Sequence, residues 1–118
     1  MSTQRDSLTP VPARQAALCM CANGAACTSF APGHALHLIQ ARLVAATPRE
    51  WQDAIVQACD ERDGVVVLRT LDDGALLTVW NAEGAAATVR AGDPVSLHAR
   101  YHVLAVGRQT RFNVAVAA

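Results

Sequence analysis

Lysine is missing from this chain, and every basic residue other than histidine is arginine. Aromatic residues are scarce, at 4% of the sequence. No sign of charge is in excess: ten basic residues offset ten acidic ones, for a formal net charge of zero. That balance argues against a general binder of nucleic acid or of membrane surfaces, whose affinity rests on basic excess. No apolar run is long enough to span a bilayer, and no apolar core follows Arg5 and Asp6. Neither a membrane anchor nor a signal peptide is therefore expected, which implies a cytoplasmic, reducing setting. Catalytic signatures are lacking too, with no Gly-rich phosphate loop, nucleophile elbow or His-Glu metalloprotease helix, so no enzyme is expected.

What the chain does have is length for one domain and an apolar share of 52%. Alanine supplies much of that share and buries little area per residue. The expected core is thin, and a metal staple or a partner subunit would strengthen it. Cysteine is concentrated rather than abundant. Three of the four cysteines lie in Cys19-Met20-Cys21-Ala22-Asn23-Gly24-Ala25-Ala26-Cys27, and Phe30-Ala31-Pro32-Gly33-His34 follows. In a reducing setting such clustering favours metal ligation over disulfides. In an extended segment Cys19 and Cys21 point the same way, and a turn at Gly24 would return Cys27 to them. His34 could complete a tetrahedron of three thiolates and one imidazole around zinc. Four closed ligands make a structural site whose binding energy becomes folding energy. The competing reading has three reduced cysteines acting as small apolar residues. His37, one helical turn beyond His34, is the reserve ligand; Cys59 reads first as a core residue and only second as a replacement ligand.

The spacing Cys19-x-Cys21, Cys27, then Phe30-x-Pro32-Gly33-His34 resembles a motif of small, mostly uncharacterised bacterial and phage proteins. These run as C-x-C-G-C, a short loop, then F-x-P-G-H-D-x-x-L. The resemblance covers residues 19–43. It implies a zinc-stabilised knuckle leading into a helix, with the histidine as last ligand, and no particular activity. This chain departs from the pattern in an Asn-Gly-Ala-Ala insertion before Cys27 and in Ala35, where the pattern has Asp.

The remainder predicts an α+β fold: a flexible arm over 1–17, the knuckle with two short helices over 18–63, and a small antiparallel, SH3-like or OB-like barrel over 64–118. Leu36, Leu38, Ile39, Leu43 and Val44 recur at near-helical spacing. Thr47-Pro48-Arg49-Glu50 reads as a capping box opening a second helix, with Trp51, Ile55, Ala58 and Cys59 along its apolar face. From Val65 the period becomes strand-like, with a hairpin turn at Asp72-Asp73-Gly74. A weaker strand is expected to end near Arg90. A long strand is expected over Val95–Val106, with Ser96, His98, Arg100 and His102 on its solvated face, and a last strand from Arg111.

These features predict a non-catalytic binding module, accessory or regulatory in role, with a protein partner or a homo-oligomer. Trp80 and the apolar C-terminal strand are the candidate contacts. The alternative is a nucleic-acid binder using the arginine-bearing strand face, with Arg90, His98, Arg100 and His102 as its candidate residues.

Overall fold

The computed structural model describes residues 29–117. Cys19, Cys21 and Cys27 of the predicted knuckle and the predicted arm over 1–17 lie outside these residues. A lead-in loop reaches helix α1 (Leu38–Ala46), and a single 3-10 turn over Pro48–Glu50 follows. Seven strands and one further short helix complete the described chain. They are β1 (Trp51–Asp60), β2 (Val65–Thr70), β3 (Leu76–Trp80), α2 (Ala85–Thr88), β4 (Pro94–His98), β5 (Val103–Val106), β6 (Thr110–Asn113) and β7 (Ala115–Ala117). All strand pairs are antiparallel, in the order β6-β5-β4-β1-β2-β3-β7. The outermost strands β6 and β7 are consecutive in the chain and joined by Val114 alone. The sheet is thus a nearly closed barrel. Val114 is fully buried, and its N–H donates to the His102 carbonyl at 3.0 Å.

The predicted second helix is absent. The capping chemistry at Thr47-Pro48-Arg49-Glu50 yields one turn, closed by the Glu50 N–H on the Thr47 carbonyl at 3.1 Å. The chain then becomes the central strand of the sheet. The period is two, not 3.6: Ala54 and Val56 are buried and Asp53 is exposed. Backbone pairing with β2 on one side and β4 on the other outweighs the local helical signal. A bulge between Val56 and Ala58 shifts the register, and Cys59 is exposed rather than in the core.

Two other expectations also change. Residues 85–88 form the helix α2 instead of a strand, and Ala85 and Ala86 are buried against the core. Alanine is a poor strand former and a good helix former, so the outcome follows local propensity. The predicted long strand is a hairpin. The chain leaves the sheet after His98, turns with the His102 N–H on the His98 carbonyl at 2.9 Å, and returns at Val103. His102 sits there at φ 54, a left-handed conformation outside the extended region that strand residues adopt. The hairpin at Asp72-Asp73-Gly74 forms as predicted.

The barrel core is aliphatic. Leu68, Leu104, Val56, Val66 and Val79 are at most 1% exposed. Two buried amides fasten the lead-in loop to it. Asn81 donates to the Gly33 carbonyl at 3.2 Å and to the Asn113 carbonyl at 2.8 Å, while its oxygen accepts from Glu83 and Ala85 N–H groups. Asn113 donates to the Ala31 and Ala35 carbonyls and accepts from the Gln40 amide at 3.0 Å. Buried side-chain amides with their bonding capacity used in this way fix one geometry.

Candidate functional site

The Gly33-His34 turn lies on the indole of Trp80. Gly33 adopts φ +89, and a Cβ there would fall 2.2 Å from the Trp80 ring. His34 is fully buried, with its ring edge-on to Trp80 at 5.2 Å between centroids. Its N–H donates to the Ala31 carbonyl at 3.0 Å. Burial pushes the His34 pKa down, against an opposing pull from Glu83. That shift favours the neutral imidazole, the form that binds metal. Trp80 is therefore the floor of this turn, half-buried beneath it, rather than an open contact anchor.

His37 caps α1: its Nδ1 accepts the Ile39 N–H at 2.9 Å, and Phe30 meets its ring edge-on at 4.7 Å. One of its two nitrogens is thereby committed to the helix. Cys59 donates weakly to the Val89 carbonyl at 3.6 Å at the far end of β1. Among the described residues no group of three or more His, Cys, Asp or Glu side chains is placed to hold a metal. Of the four predicted zinc ligands, only His34 belongs to the described residues.

The predicted strip of His98, Arg100 and His102 is not one strand face. His98 is fully buried, and the other two occupy the turn beyond it. The Tyr101 N–H donates to His98 Nδ1 at 3.0 Å, so the ring proton sits on Nε2. Nε2 faces Thr47 Oγ1 at 2.8 Å and the Thr47 carbonyl at 3.1 Å. The Thr47 hydroxyl in turn donates to the Leu43 carbonyl at 2.7 Å. His98 thus ties the end of α1 to the sheet. Arg90 is exposed on a different turn, where its N–H donates to the Asp93 carboxylate at 2.9 Å.

A different grouping emerges around His98. Trp51 meets its ring edge-on at 5.0 Å, and Tyr101 stacks on it at 5.4 Å with an interplanar angle of 28°. Arg111 lies over Trp51 at 5.2 Å and Arg100 over Tyr101 at 5.5 Å. These five side chains form a ladder with a guanidinium at each end. Sequence reading missed Trp51, Tyr101 and Arg111 as its members. Trp51 was expected on the apolar face of a helix, and β1 and β6, which bring Trp51 and Arg111 together, are 50 residues apart in places. The one local signal was the turn that carries Arg100-Tyr101 next to His98.

A third surface feature is apolar. Phe30 in the lead-in loop and Leu38 and Ile39 on α1 are 56%, 64% and 60% exposed, and Leu43, also on α1, is 38% exposed. Val44 is the one buried residue of that helix.

No helix among the described residues is long and apolar enough to cross a membrane. Comparison of the chain with protein-family models, curated proteins and solved structures finds no match.

Proposed function

We propose that the chain is a non-catalytic interaction module, accessory or regulatory in role and cytoplasmic, whose N-terminal end is closed by one structural zinc ion. The ligands are Cys19, Cys21, Cys27 and His34. The seat of His34 supports this assignment, because a rigid turn on Trp80 presents a neutral imidazole a few residues after the cysteines. The chemistry fits zinc, with three soft thiolates and one imidazole in a closed set. The barrel, built from short strands and closed through one kinked segment, is of the small SH3-like or OB-like kind.

The interaction reading is carried by the exposed apolar side of α1. Large apolar side chains at this exposure on one helix mark a contact surface. Trp80 and β7, the contacts expected from sequence, are taken up within the fold: Trp80 by the Gly33-His34 turn and β7 by β3. The occupant we assign to α1 is a second copy of the chain, which offers the same apolar helix in a two-fold contact.

Two measurements test this. Elemental analysis of purified protein should give one zinc per chain, and chelation should lower the melting temperature. Less than half an equivalent, with no change on chelation, overturns the zinc assignment. Sedimentation should show a dimer that Leu38→Ser with Ile39→Ser converts to a folded monomer. A wild-type monomer at high concentration removes the self-association reading.

A further inference from the structure

The ladder Arg111–Trp51–His98–Tyr101–Arg100 brings two aromatic rings and two guanidinium groups to one surface. His98 is the inner member, with both ring nitrogens engaged by Thr47 and Tyr101. Trp51 and Tyr101, on either side of it, are only partly buried, and the two arginines outside them are exposed. Asp93 is the last acidic residue of the chain, while Arg100, Arg108 and Arg111 all follow it. Two acidic residues adjoin the ladder in sequence or pairing. Asp53 has one carboxylate oxygen engaged by the Ser96 hydroxyl at 2.9 Å, and Glu50 is exposed beside Trp51. The chain is neutral as a whole yet carries a local arginine and aromatic surface.

We propose that this ladder is a binding site for single-stranded nucleic acid. On binding, Arg100 and Arg111 would swing off the Tyr101 and Trp51 ring faces onto the flanking phosphates, and bases would stack on the two rings in their place. Planar π-faces alternating with cations match a strand of alternating bases and phosphates, and such sites tolerate many sequences. An acidic peptide would use the cations but has no planar groups for the aromatic faces. The ladder residues lie on strands and a turn, and none of them is on a helix that could enter a duplex groove. His98 is a positioning residue, since it sets the Trp51 and Tyr101 rings without being accessible itself. The ladder shares no residue with the proposed zinc ligands or with the exposed apolar residues of α1, so its test is distinct from theirs.

Fluorescence anisotropy of a labelled single strand of about twelve nucleotides at about 20 mM salt tests the site. Binding is expected, with a slope of log K against log salt near −1.4 for two phosphate contacts. Arg100→Ala with Arg111→Ala, both at exposed positions, should weaken it roughly tenfold or more and flatten the slope. The Leu38→Ser, Ile39→Ser protein should bind like wild type. The duplex of the same sequence should compete poorly. No binding at low salt, or binding indifferent to the arginine pair, overturns the proposal. Equal competition by poly-glutamate assigns the surface to acidic polypeptides instead and also overturns it.

Discussion

At Gly33 the backbone takes a conformation that side-chain-bearing residues avoid, and the Trp80 ring stands where a Cβ would begin. Gly33→Ala must therefore strain the backbone and displace the indole together. The expected loss is about 2–4 kcal/mol, read as a lower urea midpoint with an unchanged slope. Asn81 works beside it through four hydrogen bonds. The Gly-His pair was legible in the sequence as a motif, but its reason was not. The partner that demands glycine is Trp80, 47 residues away, and nothing local to Gly33 announces it. His98 shows the same limit in reverse. Alternation placed it on a solvated face, whereas Thr47, Trp51 and Tyr101 cover it.

Among the elements, those closed by their own neighbours were the readable ones. The β2–β3 hairpin is set by Thr70, Asp73 and Gly74. The Thr70 hydroxyl donates to Asp73 Oδ1 at 2.6 Å and the Ala75 N–H donates to the same oxygen at 3.1 Å. The Thr70 bond, with the Ala75 N–H second, holds the Asp73 carboxyl below its ordinary value. A folded pKa below the unfolded one gives stability that is present above the unfolded value, near 3.9, and lost as pH falls through the folded value. Carbon-detected NMR titration should find the Asp73 midpoint below that of an ordinary aspartate, and Thr70→Val should return it upward. An unshifted wild-type midpoint would remove this account of the turn. The segment after Thr47 was misread because its capping residues govern one turn only. Whether a helix continues depends on partners, and β1 has a strand on each side.

For the whole molecule, closure of the barrel rests on a short strand and one residue. β7 pairs with β3 at three positions, Thr78 with Ala117, Val79 with Val116, and Trp80 with Ala115. Deleting residues 115–118 leaves β3 as an open edge and removes Val116 from the core margin. The shortened protein should lose cooperative unfolding in urea and elute as aggregate in size exclusion. A monomer with the wild-type midpoint would show that closure is dispensable. The barrel class was legible because Gly-bearing turns recur between short apolar runs. The break at Val114 was not, since a kinked strand and a straight one share the same alternation. The joint at Val114 also bears on synthesis. Every partner of β6 and β7 precedes them in the chain, so β1, β2 and β3 can pair before β7 is there to cover β3. Until the final segment emerges, that strand can pair with another unfinished chain. The interval between formation of the β2–β3 hairpin and docking of β7 is the period in which a chaperone would be of most use to this protein.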